Sequence, residues 1–172
     1  MAAAGDELIN PNAPTTFYQA DILSLDETPK AKVVIADVPV GYYSVDDANQ
    51  FETQSSNGQA WVQNLIVEKS LSFVSDEGWV YLIVPAALLS GDNAKQLLQF
   101  VTSHTQLKAF LQLPNDFFQD ERAAKAILVL KKKSDQTQKE VLMGQYPSLK
   151  NPKKIQEFLQ DIEAWVKLDK EV

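Results

Sequence analysis

The chain has no cysteine and a single histidine, His104, in 172 residues. That removes disulfide frameworks and thiolate metal sites, and one imidazole without a second nitrogen donor is a poor start for a metal centre. No apolar run approaches the roughly 20 residues that span a bilayer. The opening Met-Ala-Ala-Ala-Gly-Asp-Glu has neither the basic flank nor the apolar core of a secretory signal, so the expectation is a cytoplasmic protein. Positive charge is also short, with 16 Lys and Arg against 23 Asp and Glu and a formal net charge of -7. Nucleic-acid-binding domains ordinarily present a basic surface that displaces counterions from phosphate. Any grip on DNA would therefore come from another segment or subunit. The basic clusters Lys131-Lys132-Lys133 and Lys150 with Lys153-Lys154 read as solvated faces or element ends. Glycine is scattered: Gly5, Gly41, Gly58, Gly78, Gly91 and Gly144, no two within ten positions. There is no G-x-G, no Walker loop and no dinucleotide fingerprint.

What is present is an ordinary globular composition, 45% apolar and 23% charged, on a length that suits one domain over 1–172. The stretch Val33-Val34-Ile35-Ala36-Asp37-Val38-Pro39-Val40-Gly41-Tyr42-Tyr43 organises the rest. Its small and β-branched residues read as a short buried strand, and Asp37-Val38-Pro39 ends the ladder and opens a loop. In open α/β sheets ligands bind outside the carboxyl ends of strands, which is where this loop falls.

Taken in order, residues 1–14 read as an irregular end, Thr16–Ala20 as a strand ending at Asp21 and Ile22, and 44–58 as a polar surface loop. Apolar residues from Ala60 to Val74 recur at helical spacing, with Trp61 assigned to the core. Glu77-Gly78 reads as a turn. Trp79–Pro85 is a continuous apolar run of the kind covered on both faces in a parallel sheet. The span from Val33 to Val84 is thus strand, helix, strand, a right-handed crossover. A helix follows from about Asn93, with Asp92 as its N-cap and His104 at its end. Leu107–Leu113 is a strand, Pro114–Phe118 a loop with two aromatics, and Ala126–Leu130 and Val141–Met143 two late strands joined by a polar turn. Asn151-Pro152 starts a C-terminal helix, 151–168, with an apolar stripe of Ile155, Phe158, Leu159, Ile162, Trp165 and Val166.

Asp37-Val38-Pro39-Val40-Gly41 resembles the Asn/Asp/Ser-Pro-Pro-aromatic loop of adenine-N6 methyltransferases. The fuller Asp-Val-Pro-Val-Gly-Tyr-Tyr looks like small bacterial adenine-specific methylases related to the modification subunit of type I restriction systems. Val38 stands where the family has its first proline, and Val40 where it has the aromatic that stacks on the target base. The Leu113-Pro114 segment ending in Phe118 is similar to a family segment on the same sheet edge. The resemblance covers about Ala20 to Lys132, the second half of a class I methyltransferase domain.

It implies a partial Rossmann-like α/β sheet, mainly parallel with an antiparallel strand near the end and helices on both faces. Asp37, Val38 and Pro39 would form the catalytic loop. Val40, Tyr42 and Tyr43 would meet the substrate, and Asp21 and Ile22 would bind S-adenosylmethionine near its adenine. No metal is expected. The glycine-rich cofactor loop is absent, so little activity is expected of this chain alone, with DNA reached through the intact protein. Loss of the neighbouring strand would leave an apolar edge at 33–36, capped by Thr16–Ala20 or by a second copy as a homo-oligomer. The alternatives are methylation of a protein glutamine or of RNA, and a non-catalytic interaction module descended from a methyltransferase.

Overall fold

The computed structural model describes residues 18–25, 30–43, 51–54, 60–90, 94–132 and 140–171. Strand β1 (Ala31–Asp37) runs into a loop whose Tyr42–Tyr43 (β2) pairs antiparallel with Ala60–Trp61 (β3). Helix α1 (Val62–Phe73) leads to strand β4 (Val74–Pro85), and helix α2 (Ala94–His104) leads to strand β5 (Thr105–Gln112). Strands β6 (Lys125–Lys132) and β7 (Leu142–Gln145) follow, and helix α3 (Pro152–Glu171) closes the chain.

The main sheet has the order β1-β4-β6-β5-β7. β1 and β4 are parallel, as are β5 and β7, while β6 lies antiparallel to both β4 and β5. Four strands therefore share a direction and one opposes them, the mixed sheet expected from the sequence. Ala126–Leu130 and Val141–Met143 do not form the anticipated adjacent pair. β6 inserts between β4 and β5 because its alternate residues Ala126, Leu128 and Leu130 can be buried there, whereas β7 takes the outer edge of β5.

The core lies on one face of this sheet. Val80, Leu82 and Val84 of β4 and Leu128 and Leu130 of β6 pack with Leu65, Ile66 and Val67 of α1 and with Leu97, Phe100 and Val101 of α2. The opposite face beside β1 is open: Ile35 is 76% exposed, Val33 48%, and Tyr81 and Ile83 37% each. The apolar run 79–85 is thus not covered twice, and the 33–36 strand is covered on one side only, Val34 and Ala36 packing on the core, because no described element lies over their second face. Burial there is still enough to raise the Tyr81 phenol above its ordinary pKa.

Other expectations shift locally. Tyr18, Gln19 and Ala20 are not in a strand, and Thr16, Phe17, residues 1–14 and Asp92 lie outside the described residues. Glu77-Gly78 is no turn between elements but a bulge inside β4, since β1 pairs Ala31 with Val74 and Val33 with Trp79. Glu77 adopts a φ of 62° there. A β-carbon on Gly78 would meet Ser75 O at 2.8 Å and Lys32 O at 2.9 Å, a close backbone approach that requires glycine. Within the polar segment 44–58, Phe51 and Thr53 are buried, and Glu68 of α1 accepts the Glu52 and Thr53 amides at 3.0 and 2.9 Å. The rest of that loop, 44–50 and 55–58, is outside the described residues. The N-cap of α3 is as read, with Asn151 Oδ1 accepting the Lys154 amide at 3.1 Å. Among the described residues no helix is long and apolar enough to cross a membrane.

Candidate functional site

The Asp37 loop is tied down at both ends. At its start the Val38 amide donates to Ile83 O at 2.9 Å, which extends the β1–β4 ladder by one residue and buries the Val38 side chain completely. At its end Gly41 O accepts the Val62 amide at 3.0 Å, so the loop caps the first turn of α1, and the Gly41 amide donates to Gln63 Oε1 at 3.4 Å. Pro39 and Val40 form the exposed apex between these anchors, Val40 with 63% of its surface free.

Asp37 sits at the carboxyl end of β1 and lines an open cleft of about 530 Å³ with Ile83, Leu113, Phe117, Phe118, Lys125 and Leu149. Its carboxylate forms an ion pair and hydrogen bond with the Lys125 ammonium. Lys125 opens β6, and its carbonyl accepts the Leu113 amide at 2.9 Å, so the lysine is fixed by both neighbouring strands. The two rings beside the carboxylate are Phe117 and Phe118. Their loop is held by the segment after β7, where Ser148 Oγ donates to Asp116 Oδ2 at 2.8 Å and Lys150 Nζ lies 3.3 Å from the same oxygen. The Ser148 hydroxyl, followed by Lys150, holds the Asp116 carboxyl below its usual pKa range.

The remaining expected residues gather on a second flank. Asp21 Oδ2 accepts the Tyr43 hydroxyl at 3.0 Å, and Oδ1 accepts the Leu23 amide at 3.0 Å in a turn that leaves Ile22 on the surface. Tyr42 stacks on Trp61 with ring centroids 4.1 Å apart. The structure therefore joins Asp21 to Tyr43, and Tyr42 to Trp61, and none of these four lines the Asp37 cleft. Lys125, Leu149 and Ser148 were not anticipated. Lys125 is 88 positions from Asp37 and opens an ordinary apolar strand, so no local pattern marks it.

His104 is a helix-end residue, its Nδ1 3.1 Å from Phe100 O and its ring stacked on Phe100. No acidic or histidine group suited to a metal occurs among the described residues. Three members of the basic clusters pair with acids: Lys131 with Glu77, Lys132 with Asp76, and Lys150 with Asp116.

A parallel β1–α1–β4 unit, an antiparallel β6 set inside the sheet edge and an acidic loop at the carboxyl end of β1 define part of a class I methyltransferase fold. The N-6 DNA Methylase family matches residues 8–167, and the chain belongs to that family. It is 33% identical over 157 residues to the uncharacterized protein YtxK of Bacillus subtilis (strain 168), a match covering 90% of this chain and 47% of that protein. Among solved structures it is similar to a candidate class I S-adenosylmethionine-dependent methyltransferase from Listeria monocytogenes. That likeness has a TM-score of 0.75 and 29% identity, covering 83% of this chain and 45% of the other. The methyltransferase subunit of a type I restriction-modification system from Streptococcus thermophilus shares the fold, with a TM-score of 0.58, 14% identity, and coverage of 84% of this chain and 35% of the other. The chain spans about half the length of the curated relative it matches.

Proposed function

We propose that this chain is the acceptor-loop half of an S-adenosylmethionine-dependent adenine-N6 DNA methyltransferase, with Asp37-Val38-Pro39-Val40 as its catalytic loop. The observation that carries this is the placement of Asp37 in a cleft with two phenylalanine rings, at the carboxyl end of a parallel strand and next to an anchored Val38. An exocyclic amine is a poor nucleophile because its lone pair is delocalised into the ring. Acceptance of its two hydrogens by the Asp37 carboxylate and the Val38 carbonyl would localise that pair and aim it, catalysis by positioning and electrostatics. Pro39 stiffens the turn. The cofactor, when bound, supplies an electrophilic methyl group. Asp37 can also take the proton that the methylated amine must lose.

The residues present fit only one end of that cofactor. Asp21, oriented by Tyr43 and the Leu23 amide, and Ile22 suit its adenosyl end. The described glycines provide no cradle for the methionine end, since Gly78 is consumed by strand packing and Gly41 and Gly144 have no atoms close enough to require glycine. In this reading a glycine-rich half beside β1 completes the site and covers Val33 and Ile35, and DNA is held by the complete protein. The family's stacking aromatic at position 40 is replaced functionally by Phe117 and Phe118. The test is calorimetric titration of S-adenosylmethionine into the chain and into Asp21→Ala. Weak binding that the substitution removes is expected, and binding that ignores Asp21 would count against the assignment.

A second reading, a non-catalytic interaction module, draws on the exposed Val40 and on the local pairing of Lys131, Lys132 and Lys150 with acids. It predicts cofactor binding with no consequence of changing Asp37.

A further inference from the structure

We infer that Lys125 is a specificity-determining residue of the acceptor cleft: with Asp37 it forms a paired acceptor and donor that reads the amine of an aminoheterocycle together with its adjacent ring nitrogen. The inference rests on the acceptor-site reading above and adds to it the choice of base edge. Lys125 and Asp37 line the same cleft and touch each other, with 28% and 64% of their side chains exposed. An ionised carboxylate has about four acceptor positions and an ammonium three donor hydrogens. Their mutual contact uses one of each, which leaves further positions on both groups for a ligand. The pair is set into otherwise apolar walls, Ile83, Leu113, Phe117, Phe118 and Leu149.

A ligand matched to this arrangement is flat, presents an N–H donor to Asp37, and presents an acceptor beside it to Lys125. The 6-amino group and N1 of adenine meet that description, as do the 4-amino group and N3 of cytosine. An oxo-substituted base reverses the polarity at the same two positions. A primary carboxamide offers the same donor and acceptor, but it has no aromatic plane for the two phenylalanines, so the cleft favours the base. The lysine is placed for this by the fold: its Cα is in register with Pro85 on β4, and its carbonyl is bound by the Leu113 amide. Its side chain therefore crosses β4 to reach the end of β1.

The test is amide chemical-shift mapping on the ¹⁵N-labelled chain with adenosine, 1-deazaadenosine, N6,N6-dimethyladenosine and N-acetylglutaminamide. Adenosine should move the amides of Asp37, Phe117, Phe118 and Lys125, and should bind about tenfold more tightly than 1-deazaadenosine, the lower end of the scale for a hydrogen bond to a charged group. Lys125→Met should erase that preference and Lys125→Arg should keep it. Should Lys125→Met not fold, Lys125→Leu, which also lacks a donor, replaces it. Equal binding of adenosine and 1-deazaadenosine by the unaltered chain, or a preference that survives Lys125→Met, overturns the role of Lys125. If adenosine is then still preferred over its N6,N6-dimethyl analogue, the Asp37 reading stands alone. Movement of these amides by N-acetylglutaminamide and not by adenosine reassigns the cleft to an amide and overturns the base assignment. No movement with any probe overturns it as well.

Discussion

The two faces of β4 carry equally apolar residues and meet different surroundings. Val80, Leu82 and Val84 are fully enclosed by α1, α2 and β6, whereas Tyr81 and Ile83, one residue along in each case, lie on the open face. The same contrast separates β4 from β1, whose Ile35 is the most exposed large apolar side chain of the sheet. The enclosed face is made entirely from segments of this chain. The open face and the outer edge of β1 have the composition of a core with nothing among the described residues laid on them. Natural edges are usually short, charged or covered. This one is seven residues long and ends in the Asp37 loop, so the candidate site sits beside the least covered edge of the described sheet.

That comparison can be broken by mutation. Leu82→Ala should cost about 2–5 kcal/mol, the range for emptying an enclosed leucine site, seen as a lower midpoint in denaturant unfolding. Gly78→Ala should cost about 1–3 kcal/mol, because the added carbon collides with backbone oxygens of both β4 and β1. Ile83→Ala, next to Leu82 but facing outward, should cost about 1 kcal/mol or less. If Ile83→Ala proved as damaging as Leu82→Ala, the open face would be covered in solution, and sedimentation would have to show by what.

The apolar periodicity contained the β1–α1–β4 unit, α2 and α3 because each is set by residues close in sequence. It did not contain the pairing of β6 or β7. Strand partners depend on which face each strand can bury, and Leu128 and Leu130 look alike whether they flank β4 or β7. The run 79–85 was read as doubly covered since continuous apolarity records what a segment is suited to, not what lies over it. At the site, Asp37 was legible because an acidic residue before a proline at a strand end has a local signature. Lys125 was not, since its place beside Asp37 arises only from strand order. The Leu113-Pro114 segment ending in Phe118 was legible as a resemblance, but not that Ser148 and Lys150 hold its loop from beyond β7.

The smallest expected effect concerns that wall. The Asp116 carboxyl is held low by Ser148 and Lys150. A group whose pKa is depressed on folding stabilises the fold above its unfolded value, about 3.9 for Asp, and loses that contribution as pH falls through its folded value. Amide shifts of Ser148 and Lys150 should therefore stay constant from neutral pH downward and change only below the usual carboxylate range. Asp116→Asn should remove the transition, and a transition unchanged in that variant would assign it to another group.

The account's central claim is that Asp37 handles the acceptor amine. Its direct measurement is mass-spectrometric detection of N6-methyladenine in duplex DNA. The DNA is incubated with S-adenosylmethionine and this chain supplied with the glycine-rich remainder of a relative, with Asp37 intact or changed to alanine. The account predicts product with Asp37 and a loss of about a hundredfold or more without it, the scale for removing a group that stabilises charge in the transition state. Equal product from both, or a complex that binds the cofactor and methylates no adenine, would contradict it.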